Sequence, residues 1–166
     1  MAKRHPTDMT IKILAHYPNG GKVLVYNSID RSTGDFKRII DCAKFFAHQG
    51  KTVIIPPKLD VPYKNPAYDQ IYGTLKDTAY YGKCPDLQVD GVWYEHEGYA
   101  TLNPKTNFSN MLKRGLRQSD RIIIEDCGLT DSYMKRNILV RISENQCIKE
   151  VYVKMGCNIR LLFKAV

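Results

Sequence analysis

Asp86, Glu95 and Glu97 are the residues whose types and spacing point most directly to chemistry. The run Leu87-Gln88-Val89-Asp90-Gly91-Val92-Trp93-Tyr94 reads as two β-rich stretches joined by Asp-Gly, the strongest short-range hairpin signal. With Asp90 and Gly91 at the centre of a type I′ turn, Val89 pairs with Val92, Gln88 with Trp93, Leu87 with Tyr94 and Asp86 with Glu95. Alternation along the strands then puts Asp86, Gln88, Trp93, Glu95 and Glu97 on one face, and Leu87, Val89, Val92, Tyr94 and His96 on the other. Directly opposed residues have Cβ atoms about 4.5 to 5.5 Å apart, and like charges there repel. A cation would offset that repulsion. Asp86 and Glu95 are the candidate ligands, and Mg²⁺ or Mn²⁺ suits carboxylates combined with water and phosphate oxygens. Such an ion sharpens a water nucleophile and stabilises charge growing on a scissile phosphate. The plainer alternative is an exposed hairpin face whose acids are solvated. His96, on the apolar face, reads as a satisfied structural histidine unless a one-residue bulge turns it over.

A basic stripe follows the acids in the chain. Over a helix expected from about Asn107 to Gln118, Asn110, Lys113, Arg114 and Arg117 recur at helical spacing, opposite Phe108, Met111, Leu112 and Leu116. Lys113, Arg114, Arg117 and Gln118 are the candidate nucleic-acid-binding residues, because Arg and Lys so arranged hold a phosphate backbone. An ordinary solvated helix surface has the same pattern. Lys105, in the connection from Tyr99 to Thr106, is the candidate charge stabiliser. A further Tyr- and Lys-rich segment covers 57–84. It reads either as a mobile arm that stacks bases and offers Lys to phosphate, or as an ordered excursion whose tyrosines pack on the domain, with a short helix through 67–76.

The elements that must position these groups form an α/β pattern. Residues 10–16 and 22–28 are β-rich around the turn residues Tyr17-Pro18-Asn19-Gly20-Gly21, which predicts an N-terminal hairpin over 10–28. Phe36, Ile39, Ile40, Ala43, Phe46 and Ala47 repeat at helical spacing before Gly50. Thr52–Ile55 is a buried strand ended by Pro56-Pro57. Ile122-Ile123-Ile124 is another. Thr130 opens a second long helix, with Leu129 and Met134 as a hydrophobic staple and Ile138 and Ile142 facing inward. Strands over Ile148–Lys154 and Ile159–Phe163 close the chain. The expectation is one α/β domain, a mixed central sheet with flanking helices.

The bulk numbers agree with that reading. A chain of 166 residues, 43% hydrophobic and 25% charged, suits a single domain with a sizeable core. Net charge +8 and pI about 9.2 favour polyanionic partners. The five cysteines lack Cys-x-x-Cys spacing and read as buried thiols, not a zinc site. Basic Met1-Ala2-Lys3-Arg4-His5 is followed by Pro6-Thr7-Asp8, and no apolar run approaches about 18 residues, so a soluble cytoplasmic protein with no membrane contact is expected.

The order helix, strand, Pro85-Asp86 hairpin with Glu95, basic helix and Ile122–Ile124 resembles the restriction-endonuclease-like nuclease core, whose signature is Pro-Asp, a gap, then an acid, any residue and Lys. More particularly, Phe45–Val53, Pro85-Asp86-Leu87 through Tyr94-Glu95, and Gly115–Ile122 look like the nuclease domains at the C-terminal tails of contact-dependent growth inhibition toxins (CdiA type), over about residues 36–155. Asp86 and Glu95 match the family acids, and Gln118 matches a glutamine near the helix end. Glu97 departs from the pattern by standing where the family has Lys. Many such toxins cut transfer RNA. Related proteins adopt the barnase, EndoU, colicin and RelE type of ribonuclease fold, which needs no metal. The resemblance implies a nuclease, ribonuclease rather than deoxyribonuclease, with RNA or DNA and an acidic inhibitor protein as partners. A catalytically silent nucleic-acid-binding or protein-interaction module of the same fold is the alternative.

Overall fold

The computed structural model describes residues 8–98 and 104–166. The fold is mixed α/β, with eight strands and four α-helices among the described residues. Two compact units divide the chain, Met1–Trp93 and Tyr94–Val166.

In the first unit, β1 (Ile11–His16) and β2 (Lys22–Tyr26) form the expected antiparallel hairpin. Thr33 then caps α1 (Gly34–Ala47), its hydroxyl accepting the Phe36 N–H at 3.1 Å, and Asp35 lies at the helix's positive end. The helix buries Phe36, Cys42, Ala43, Phe46 and Ala47, a stripe that follows its turns. It returns the chain so that β3 (Thr52–Ile55) runs parallel to β2, with Val23 opposite Val53. β4 (Leu87–Val89) pairs antiparallel with β3, Val53 opposite Val89. Asp90 and Gly91 follow with φ of 46° and 84°, the two positive values a type I′ turn needs.

The Tyr- and Lys-rich segment 57–84 is not an aromatic arm. α2 (Tyr68–Tyr72) lies within it, and Tyr68 and Tyr72 are buried in a core with Tyr26, Leu59, Ile71, Leu75, Cys84 and Trp93. Tyr72 stacks on Tyr68 at 5.2 Å and on Trp93 at 5.0 Å. Their hydroxyls are satisfied inside, Tyr72 donating to the Pro57 carbonyl and Tyr68 to that of Lys83, both at 2.8 Å. Burying such side chains contributes about 1.5 to 3 kcal/mol each, which holds an otherwise irregular segment in place. Tyr63 stays exposed, its hydroxyl on the Tyr81 carbonyl.

In the second unit, β5 (Val92–Glu97), which enters it at Tyr94, pairs parallel with β6 (Arg121–Glu125), and β6 parallel with β7 (Glu150–Met155). β8 (Asn158–Lys164) closes against β7 as a hairpin. The two parallel connections run through α3 (Pro104–Gly115) and α4 (Asp131–Ser143). One face of the strands supplies Ile122, Ile124, Val151 and Val153 to a core with Phe108, Met111 and Leu112 of α3 and Met134 and Ile138 of α4. Thr130 caps α4 by accepting from the Tyr133 N–H, and Leu129 packs on the core, as the sequence predicts.

Three expectations are corrected. Ile142 is not inward: it lies one turn beyond Ile138, past the end of the core, and is 36% exposed. Cys147 and Cys157 are exposed because both sit in connections beside β7, whereas Cys42, Cys84 and Cys127 are buried. The basic helix begins at Pro104 and ends at Gly115, earlier at both ends than its apolar stripe suggests. The Leu116 N–H still bonds back four residues to Leu112, but those of Arg117 and Gln118 bond back three, to Arg114 and Gly115. That tightening ends the helix, and Arg117 and Gln118 stand in the turn after it.

Candidate functional site

The first unit holds Asp86, which enters β4 directly after Cys84-Pro85. Asp86 is only 7% exposed, not a solvated acid. Its carboxylate Oδ1 lies 2.9 Å from the ammonium of Lys58, whose own side chain is 55% exposed. Lys58 also donates to the Cys84 carbonyl. The backbone carrying Lys58 is held on both sides, by buried Pro57, whose carbonyl takes the Tyr72 hydroxyl, and by buried Leu59. Asp90, the acid of the turn, is structural: its carboxylate accepts the Thr52 N–H at 2.9 Å and pairs with Lys51 at 3.2 Å. The Thr52 hydrogen bond, ahead of Lys51, holds that carboxyl below the ordinary aspartate value. Trp93 and Gln88 meet at Thr74, whose hydroxyl accepts from the indole N–H at 2.7 Å.

Glu95 and Glu97 lie in the second unit, opposite Ile122 and Ile124, and therefore on the strand face that the helices cover. Both are buried, at 7% and 8% exposure. Gly115 lets α3 approach this point: a Cβ there would stand 2.9 Å from Ile122 Cγ2 and 3.2 Å from Glu97 Cγ. Arg114, the preceding residue, donates to Glu97 Oε2 through Nε at 3.1 Å and again through Nη2. Arg114 thus bridges a buried acid and the surface, its side chain 45% exposed. Lys113 and Arg117 are exposed and Gln118 half-buried. Tyr99–Asn103 and the side chain of Lys105 lie outside the described residues.

On the opposite face of the same strands is a cluster that sequence reading missed. His96 Nε2 meets Glu125 Oε1 at 2.8 Å, and the Lys154 ammonium donates to the same oxygen at 2.9 Å. All three residues stand at the carboxyl ends of the parallel strands β5, β6 and β7, the edge where α/β sheets carry their ligand sites. The Lys154 side chain is only 4% exposed and that of His96 8%. Burial pushes the Glu125 carboxyl upward, but the hydrogen bonds and charges of His96 and Lys154 outweigh it and hold it below the ordinary glutamate value. Their separation in the chain hides this cluster. Two local cues existed: an acid closing the apolar run Ile122–Ile124, and a lysine at the end of Val151-Tyr152-Val153.

The donor set does not make a metal cage. Among the described residues no group of three or more His, Cys, Asp or Glu side chains is arranged to hold an ion. Asp86 and Glu97 each already face a cationic side chain. What the arrangement offers is buried carboxylate matched to half-exposed cation, a pattern suited to meeting an anion at the surface and to positioning water or a hydroxyl beside it. No family model matches the sequence, and comparisons with curated proteins and with solved structures found no match. No helix among the described residues is long and apolar enough to cross a membrane.

Proposed function

We propose that the protein binds nucleic acid and hydrolyses its phosphodiester bonds, RNA of transfer-RNA type in preference to DNA. Its acids are Asp86 in the first unit and Glu95 and Glu97 in the second, with Lys113, Arg114 and Arg117 holding phosphate. The observation that carries this reading is the burial of all three acids in a chain of net charge +8. Taking a carboxylate out of water is costly even when it is paired. Buried acids at residues 86, 95 and 97 are not what stability alone favours, and functional sites are where such costs concentrate. The resemblance to the nuclease tails of contact-dependent inhibition toxins supports the same assignment. A basic surface also suits an acidic inhibitor protein as a partner.

The second reading, a catalytically silent nucleic-acid-binding module, is favoured by the ion pair between Arg114 and Glu97, which directs a cation of the basic helix onto one of the acids. One experiment separates the two. Purified protein is incubated with total transfer RNA and with plasmid, with and without Mg²⁺ or Mn²⁺ and in excess chelator, and followed on gels for cleavage and retardation. Cleavage of transfer RNA supports the nuclease. Salt-sensitive retardation without cleavage supports the silent module, and absence of both overturns both.

A further inference from the structure

Lys58 is a cation that neither the acidic pattern nor the basic helix includes. Its backbone is clamped between buried Pro57 and Leu59, and its ammonium is fixed by Asp86 Oδ1 at 2.9 Å and by the Cys84 carbonyl. Most surface lysines spread over many rotamers, which makes an exposed ion pair worth little. Here the carboxylate is buried while the lysine side chain is 55% exposed, so the pair joins a buried acid to a cationic side chain that reaches the surface. Those two contacts already restrict the ammonium, so an anion reaching it would lose less entropy than at a lysine without them. A phosphate diester is the anion expected in a protein of this charge.

We propose that Lys58 is the phosphate-contacting cation beside Asp86, binding a backbone phosphate of the nucleic acid and stabilising the charge that grows on it during cleavage. This rests on the nucleic-acid reading above. A lysine whose whole task was to neutralise Asp86 would give the same ion pair but would make no contact with phosphate, and counter-ion release distinguishes the two cases. Each phosphate contact contributes about 0.7 to 0.9 to the slope of log K against log salt.

The test measures binding of labelled transfer RNA across a salt series for wild type, Lys58→Met and Lys58→Arg, together with single-turnover cleavage and thermal melting of each protein. The expected result is a slope shallower by about 0.7 to 0.9 in Lys58→Met and unchanged in Lys58→Arg. Cleavage at saturating RNA should fall on the order of 10²-fold in the Met variant. Should Lys58→Met not fold, the double variant Lys58→Met/Asp86→Asn, which leaves no unpaired buried charge, is compared with Asp86→Asn alone for the same change in slope. A wild type that binds, together with substitutions that leave slope and rate unchanged, overturns the role of Lys58 and leaves the nucleic-acid reading standing. A wild type that does not bind transfer RNA overturns that reading, and the role of Lys58 with it.

Discussion

Glu125→Gln isolates the charge that holds Lys154 in the second unit. The two side chains are nearly the same size, and glutamine keeps an oxygen acceptor for the ammonium now 2.9 Å from Glu125 Oε1. With its side chain only 4% exposed, Lys154 is left a buried ion beside a neutral amide when the counter-charge goes. Breaking a buried pair in this way costs about 3 to 5 kcal/mol, a fall in melting temperature of very roughly 6 to 20 °C for a chain of this length.

Lys154→Met provides the control. Glu125 then keeps His96 at 2.8 Å, and with its side chain 24% exposed it keeps some water, so the expected loss is smaller, about 1 to 2 kcal/mol. Urea unfolding read by hydrogen exchange at the amides of β5, β6 and β7 reports this unit directly, whereas Trp93 belongs to the first. A Glu125→Gln protein within about 1 kcal/mol of wild type, or one as stable as Lys154→Met, would refute the argument.

Other expectations follow from the same contacts. Since Glu125 titrates below its ordinary value when folded, its contribution is present above the unfolded value near 4.5 and lost as pH falls through the folded one; urea midpoints from pH 6 to 3 should show a component that Glu125→Gln lacks. Asp86→Asn should destabilise by about 1 kcal/mol, because the amide gives up the charge that pairs with the Lys58 ammonium; a variant equal to or more stable than wild type in thermal melting would contradict the pairing. Lys113→Gln with Arg117→Gln should flatten the salt slope of transfer-RNA binding by up to about two, and an unchanged slope would remove that surface from the interface. Glu95→Gln should abolish cleavage on gels while leaving retardation intact, and a variant that cuts normally would end the acidic-centre proposal.

The elements were largely legible because their signals are local. Periodicity from Phe36 to Ala47 and the cap at Thr33 mark α1, β-branched Thr52–Ile55 marks β3, and Asp90-Gly91 marks a type I′ turn, whose two positive φ values these residue types tolerate. Burial of Asp86, Glu95 and Glu97 was not legible, since alternation assigns a face without saying whether that face meets water. Nor was the fate of Tyr68 and Tyr72: tyrosines four residues apart suit a stacking surface and a core equally, and tertiary contact with Trp93 decides between them. Pairs such as Lys58 with Asp86 or His96 with Glu125 join residues nearly thirty apart in sequence, and no spacing rule reaches that far.

Arg114 shows why the basic stripe cannot be valued by counting its cations. Read from sequence, it is one of three equivalent charges on a helix; in the fold it makes two hydrogen bonds to Glu97 Oε2, and the two charges largely cancel at a distance. Under the proposed function, long-range attraction of the polyanion along this stripe therefore falls mainly to Lys113 and Arg117, both exposed, while Arg114 is oriented by the carboxylate that its planar fork holds. Lysine in that position would offer a point charge without the fork. Removing Glu97 would have the opposite effect, returning a full cation to the surface and strengthening binding that is not tied to position. Under that proposal the ion pair trades affinity for placement, which is the exchange a site needs when it must hold one phosphate in register rather than many loosely.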